Sequence, residues 1–335
     1  MPNADNPYGV STYNASATNP ATSTGIPLPQ LIADMQALGL TWLRYQVSQS
    51  AIDSPQGTYT WTSLDAAVSA ANTAGINIIF GFDQPPAWGI DGTTGLPTPA
   101  YTTTIATLVA ARYNGASGHG HLDAIEIWNE EFDFSSYNNT TYAAVANAGY
   151  TAIRGAGFTG KIGCAAMLGI SSTAHVTTWV NQLYTSSISS LFDYLQLHYY
   201  NGFYDPSLMS NWISFPAAVQ AIQAALIANG DPNKPLWVTE FGYSNATVSQ
   251  ANQSQYYAYI FNQARLLSQQ TGGGPIAKIM FYTMDSGSTN TDPSSITGGL
   301  TPSETYNTAY TTIGQWITAC PTWPGPARFS RFMSH

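Results

Sequence analysis

The chain reads as an α/β protein built as a single (β/α)8 TIM barrel. Three observations predict this. Strand-type and helix-type runs alternate along the whole chain, and eight such pairs can be counted. The strand-type runs are nearly continuous apolar stretches, as expected where both faces of a parallel strand are covered. Glycines such as Gly75 and Gly230 close helical runs just before a strand begins, where a left-handed backbone costs glycine little. A length of 335 residues suits one barrel with decorated loops. An open doubly wound sheet is the competing fold, but no glycine-rich phosphate loop follows the first strand.

The elements follow in order. Tyr8–Tyr13 is a short strand signal, and Pro29–Leu38 carries helical apolar spacing. Trp42–Val47 is the second strand, with an alanine-rich helix over Leu64–Ala74. Ile76–Phe82 is the third strand, followed by a helix over Thr103–Tyr113. Ala124–Glu130 and Tyr142–Gly155 form the fourth pair, and Lys161–Leu168 and His175–Tyr184 the fifth. Tyr194–Tyr200 and Ala217–Asn229 form the sixth. Leu236–Phe241 and Gln253–Gln269 are the seventh, and Ile276–Met284 with the helix around Tyr306–Thr318 the eighth. No linker interrupts the series, so residues 1–320 are expected to be one domain. Residues 321–335, with three prolines, Phe329 and Phe332, read as a tail lying on the surface or partly disordered.

Composition narrows the function. Charged residues are only 8% of the chain, against a usual value of about 25%. Nine Lys and Arg in total and a net charge of −9 leave no basic patch for nucleic acid. No apolar run is long enough for a membrane span. No leader is visible at Met1–Ala4, yet the charge-poor, Thr-rich surface reads as that of a secreted protein. Cys164 lies in a strand run and reads as a small buried hydrophobe; a bridge to Cys320 stays open. No cofactor, metal or protein partner is called for, and a monomer is expected.

Two glutamates stand at strand ends, in Ala124-Ile125-Glu126-Ile127-Trp128-Asn129-Glu130 and in Leu236-Trp237-Val238-Thr239-Glu240-Phe241-Gly242. Side chains at the C-terminal ends of barrel strands line the site. Alternation puts Glu126, Trp128 and Glu130 on one face, Gln196, His198 and Tyr200 on another, and Arg44 with Gln46 on a third. Polar groups recurring in apolar strands face the barrel axis and must bond one another. Two carboxyls so placed are what retaining glycoside hydrolysis needs.

Trp128-Asn129-Glu130 on the fourth strand, with Glu240 ending the seventh, resembles clan A of the glycoside hydrolases. Arg44 and His198-Tyr199-Tyr200 are similar to that clan's accessory residues. Families 5 and 39 are the nearest in pattern, above all small bacterial members with a Thr-Glu-Phe-Gly segment. The resemblance implies Glu130 as general acid/base and Glu240 as nucleophile. It implies Asn129 on the sugar 2-hydroxyl, with Arg44 and Tyr200 holding Glu240 ionised. The chain departs from family 5 where a strand-eight Trp is usual and Tyr282 stands instead. After strand three the usual His is missing, and Asp83 or Gln84 could bind sugar hydroxyls instead. Glu131 stands where family 39 often has Pro.

Other residues have two readings. Glu126 reads as a structural carboxylate paired with Arg44 or a neighbour, and Glu131 as facing outward or capping its loop. His198 is open between a core histidine and a substrate contact. Asp285 is open between loop capping and substrate binding. His119 and His121 lie before the fourth strand, at the end away from the site. Trp88, Tyr199, Tyr204, Trp212, Tyr243 and Tyr282 could stack on sugar rings, with Trp88 and Tyr243 nearest the strand ends.

The expected function is a retaining glycoside hydrolase cleaving β-linked neutral poly- or oligosaccharide by double displacement. Longer connections at Pro85–Pro99, Asn201–Pro216 and Asp285–Ser303 suggest a groove and internal cleavage. A transglycosylase on the same intermediate is one alternative. A non-catalytic carbohydrate-binding barrel is another, but it has no reason to keep both glutamates. A metal-dependent hydrolase would need His clusters at strand ends, and no strand carries a His-x-His pair.

Overall fold

In the computed structural model, eight parallel strands close in sequence order into one barrel. The structure describes residues 6–20, 26–130, 139–168, 170–200, 213–243, 249–269, 276–284 and 308–321. The strands are β1 (Tyr8–Asn14), β2 (Trp42–Val47), β3 (Asn77–Gly81), β4 (Ala124–Glu126), β5 (Lys161–Met167), β6 (Tyr194–Tyr199), β7 (Leu236–Phe241) and β8 (Ile276–Tyr282). Each is followed by a helix: α1 (Leu28–Leu38), α2 (Thr62–Ala74), α3 (Pro99–Arg112), α4 (Asn139–Gly155), α5 (Thr173–Thr185), α6 (Phe215–Ala228), α7 (Gln250–Ser268) and α8 (Thr308–Ala319). Among the described residues, no helix is long and apolar enough to cross a membrane.

The helices start and stop where side chains satisfy their ends. Thr98, Ser172, Ser214 and Ser249 cap α3, α5, α6 and α7, each accepting a backbone N–H with its side-chain oxygen. Those caps explain why α3 and α7 begin earlier than apolar spacing alone suggests. Gly75 ends α2 with φ of 69°. Cys164 and Cys320 are both buried and unbridged, which closes the question left by the sequence.

Side-chain alternation sorts the core into two layers. Outward-facing residues such as Val10, Leu43, Ile78, Leu195 and Val238 join the helices in one large apolar cluster. Inside the barrel a second cluster contains Trp42, Ile79, Ala124, Tyr194, Trp237 and Met280. Most of these stand early in their strands, so they plug the N-terminal end of the barrel. Tyr194 stacks on Trp237 at 3.7 Å between centroids, and Trp42 meets the same ring edge-on at 5.0 Å. The dry plug forms a floor. The polar residues later in the strands stand above it, facing the C-terminal mouth.

Two irregularities break the simple alternation. Strand β4 ends at Glu126 rather than running to Glu130. Trp128 then takes φ of 82°, a left-handed conformation that a bulky residue rarely adopts. Beyond the strand, Ile127 N–H still donates to the Gly163 carbonyl of β5 at 3.0 Å, and Glu130 bridges Ala166. The expected shared face of Glu126, Trp128 and Glu130 is therefore corrected: Trp128 joins the large outer cluster instead of the axis. In β7 the register against β6 jumps, with Leu197 opposite Val238 and His198 opposite Glu240. Thr239 is the extra residue, and the bulge turns both Thr239 and Glu240 toward the interior.

Candidate active site

Arg44, in the middle of β2, is the hub of the site and is fully buried. Its Nε donates to Glu126 Oε2 at 2.6 Å. Nη1 donates to Ser11 Oγ at 3.1 Å, to Gln46 Oε1 at 2.9 Å and to Glu240 Oε1. Nη2 donates to Asn129 Oδ1 at 2.7 Å. A planar guanidinium can serve this many acceptors at once, which an ammonium cannot. Burial pulls the Arg44 pKa down, but Glu126 and Glu240 reverse that and hold it above its ordinary value. Gly81 on β3 makes room for the arrangement. A Cβ there would stand 3.1 Å from Glu126 Oε2 and 3.2 Å from Arg44 Nη2.

Glu126 is held by Arg44 and by the Tyr194 hydroxyl, 3.2 Å from Oε1, with no exposed surface. It has the structural setting expected of it. Glu240 accepts from Arg44 at one oxygen and from the Tyr200 hydroxyl at the other. Burial, with the charges of Glu240 and Glu130, pushes the Tyr200 phenol well up, so it remains a donor. The Tyr282 ring lies edge-on to Tyr200 at 6.5 Å.

Glu130 stands opposite, and its side chain is more open than that of Glu240, 23% against 8% exposed. His198 Nδ1 lies 2.6 Å from Glu130 Oε1, and Nε2 lies 3.1 Å from Thr239 Oγ1. With no exposed surface and both ring nitrogens engaged, His198 has nothing left for a sugar. Of the two readings open for His198, the geometry favours a buried residue that holds Glu130 over the substrate contact. Burial drives the imidazole down to about 3, with Glu240 opposing and Arg44 reinforcing the shift.

Asn129 Oδ1 also accepts from Gln46 Nε2 at 3.0 Å, so its amide N–H2 is the end turned away from the hub. Asp83 is half-buried after β3. Burial raises its carboxyl to about 6, against the Gln84 backbone N–H and the charge of Arg44. Gln84 is exposed and accepts from the Tyr13 hydroxyl at 2.6 Å. Trp88 is 44% exposed and presents a free ring. Tyr243 does not: it is 4% exposed and packs on Tyr256 at 4.7 Å and Tyr257 at 6.0 Å. The expectation of a stacking platform there is corrected, because α7 covers the ring. Tyr199 is likewise buried against Phe215. Glu131, Tyr204, Trp212 and Asp285 lie outside the described residues.

Sequence reading missed Thr239, Ser11 and Tyr194. Ser11 and Tyr194 were available as inward positions of buried strands. Thr239 was not, since strict alternation sets it opposite Glu240.

Glu130, His198 and Glu240 each bring one donor atom within 4.8 Å of the others. That spacing could hold a metal, but the atoms are already committed to Arg44, Tyr200, Thr239 and one another. A guanidinium against Glu240 further disfavours a second cation. The set is suited to moving protons and to attack by a carboxylate.

A closed parallel barrel carrying two facing glutamates above an arginine hub defines a clan A glycoside hydrolase domain. Residues 3–269 match the family model described as cellulase, glycosyl hydrolase family 5. The chain belongs to that family. Solved structures share the fold at low identity. A family 39 glycoside hydrolase from Bacteroides cellulosilyticus WH2 superposes with a TM-score of 0.69 at 14% identity, covering 93% of this chain. The chain spans 63% of that protein's length. A β-glucosidase from Exiguobacterium marinum gives 0.69 at 11% identity, covering 95% of this chain and 99% of the other. Thermotoga maritima Cel5A, solved with cellobiose, gives 0.65 at 11% identity, covering 92% and 96%. No curated protein sequence matches the chain.

Proposed function

We propose that the protein is a retaining β-glycoside hydrolase that acts by double displacement on a neutral poly- or oligosaccharide. The observation that carries this reading is the approach of Glu130 and Glu240, with carboxylate oxygens within 4.8 Å. Retaining enzymes hold their two carboxyls about 5–5.5 Å apart, and inverting ones about 6.5–9.5 Å apart to admit a water. The short spacing supports direct attack by one carboxylate over a displacement by an interposed water.

The surroundings assign the roles. Glu240, fixed at both oxygens by Arg44 and Tyr200, attacks the anomeric carbon. Glu130, against a neutral imidazole, gives its proton to the leaving oxygen and then takes one from water. The Asn129 amide meets the 2-hydroxyl, where a bond that tightens in the transition state counts most. Asp83 and Gln84 meet hydroxyls of the flanking sugar, while Tyr282 and Trp88 offer ring faces. The family description and the cellobiose held by the Thermotoga protein support a β-linked glucan-type substrate. Internal cleavage by a secreted monomer completes the reading.

Trapping tests it. An aryl 2-deoxy-2-fluoro β-glycoside with a good leaving group should inactivate the enzyme and leave the fluorosugar on Glu240. Turnover of the parent aryl glycoside with the label on another residue would overturn the assignment. Early release of mixed oligosaccharides from a polysaccharide marks internal cleavage; a single small product from the outset marks a closed pocket.

A further inference from the structure

Behind His198 runs a chain of hydrogen bonds whose directions are fixed from one end. The Cys164 carbonyl can only accept, so the amide nitrogen of Gln196 faces it. That orientation turns Gln196 Oε1 toward Thr239, and the Thr239 hydroxyl donates to it at 2.9 Å. With its proton so committed, Thr239 Oγ1 can only accept from His198 Nε2, 3.1 Å away. A neutral imidazole carrying its proton on Nε2 has a lone pair on Nδ1. Glu130 Oε1 lies 2.6 Å from that lone pair, a hydrogen bond that exists only if Glu130 carries the proton.

We infer that Gln196 and Thr239 are positioning residues that lock the tautomer of His198 and so keep a proton on Glu130 between turnovers. The inference rests on the reading of Glu130 as the general acid. The line from Cys164 to His198 lies within the barrel strands and is shielded from water, and only Glu130 at its end is partly open. Gln196, His198 and Thr239 have no exposed surface. Besides Glu130, the groups that act on the ring are Glu240, with Oε2 3.6 Å from Nδ1, and the charge of Arg44. Burial keeps the ring neutral against the pull of Glu240.

The proton count closes over a turnover. In the first step the O–H bond of Glu130 breaks and the proton leaves with the aglycone oxygen. Glu130 Oε1 then faces the Nδ1 lone pair with no proton between them, an arrangement that favours recapture. In the second step water gives a proton to Glu130 as its oxygen bonds the anomeric carbon, the ester bond to Glu240 breaks to release that carboxylate, and the starting state returns. The ring neither gains nor loses a proton.

Imidazole nitrogen NMR on the whole protein tests the tautomer without any turnover. The chain has five histidines, and the His198 signals are those lost in His198→Asn. Nε2 should report as protonated and Nδ1 as bare through about pH 5 to 8, where an ordinary histidine titrates. A proton on Nδ1, or an imidazolium in that range, overturns the inference. Kinetics test its consequence. Thr239→Val removes the acceptor for Nε2–H and frees the proton to move to Nδ1. The alkaline limb of kcat/KM should then move down by about one pH unit, and loss on poor leaving groups should exceed loss on activated aryl glycosides about tenfold. Thr239→Ser should restore both. An equal loss on all substrates with an unmoved limb would leave Thr239 a packing residue. If the Val variant fails to fold, the NMR result on the parent protein decides. Full activity of Glu130→Gln on poor leaving groups would refute the role of Glu130 itself and leave the tautomer measurement standing.

Discussion

Arg44→Lys removes the hub while keeping the charge, and the structure sets its cost. The guanidinium reaches Glu126, Ser11, Gln46, Glu240 and Asn129 from three nitrogens. One ammonium cannot span Glu126 and Glu240 together. If it stays with Glu240, Glu126 keeps only the Tyr194 hydroxyl in a site with no exposed surface. Stripping one partner from a buried ion pair costs about 3–5 kcal/mol. Unfolding entropy of about 2.1 cal/mol/K per residue makes about 4 kcal/mol worth a Tm drop of roughly 6 °C in a chain of this length. The loss should shrink as pH falls, because a protonated Glu126 no longer needs a cation. Scanning calorimetry of both proteins at neutral and mildly acid pH measures it. An unchanged Tm at neutral pH, or a deficit that ignores pH, would refute the reasoning.

Three further outcomes follow from the same geometry. Glu240→Gln should abolish turnover on every substrate, whereas Glu130→Gln should retain the first step on activated aryl glycosides; identical losses in burst kinetics would contradict the division of roles. Gly81→Ala puts a methyl against Glu126 and Arg44 and should cost about 1–3 kcal/mol in denaturant melts while lowering kcat, an effect a solvent-facing alanine would not give. Asp83, raised to about 6 by burial, binds its proton more tightly when folded, so its stabilisation is present at low pH and lost as pH rises from about 4 through 6. Asp83→Asn should therefore stabilise the protein by about 2 kcal/mol at pH 7, after allowing for partial exposure, and leave it unchanged near pH 4. His198, depressed to about 3, has the opposite slope: its contribution is full above about 6.5 and is lost as pH falls toward 3, so it offsets Asp83 over that range.

The barrel was legible because its signals are local. Apolar runs, helix-ending glycines and strand order depend on short stretches, and Arg44, Glu126, Glu130 and Glu240 followed from their places at strand positions. What escaped depends on backbone irregularity and on partners far away in sequence. The left-handed turn at Trp128 removes that ring from the axis and brings Asn129 to Arg44 instead. The bulge at Thr239 exists only in the register of β7 against β6, so no reading of β7 alone reveals the relay through His198. Tyr243 looked like a rim aromatic because its burial is supplied by Tyr256 and Tyr257 from α7.

The spacing of Glu130 and Glu240 is the centre of the account, and product stereochemistry tests it most directly. Proton NMR during the first minutes of hydrolysis of a β-linked oligosaccharide separates the two anomers before they equilibrate. Double displacement through Glu240 releases the β-anomer first, followed by slow appearance of α. The α-anomer as the first product would mean single displacement by water, and the assignment of Glu240 as nucleophile would fall.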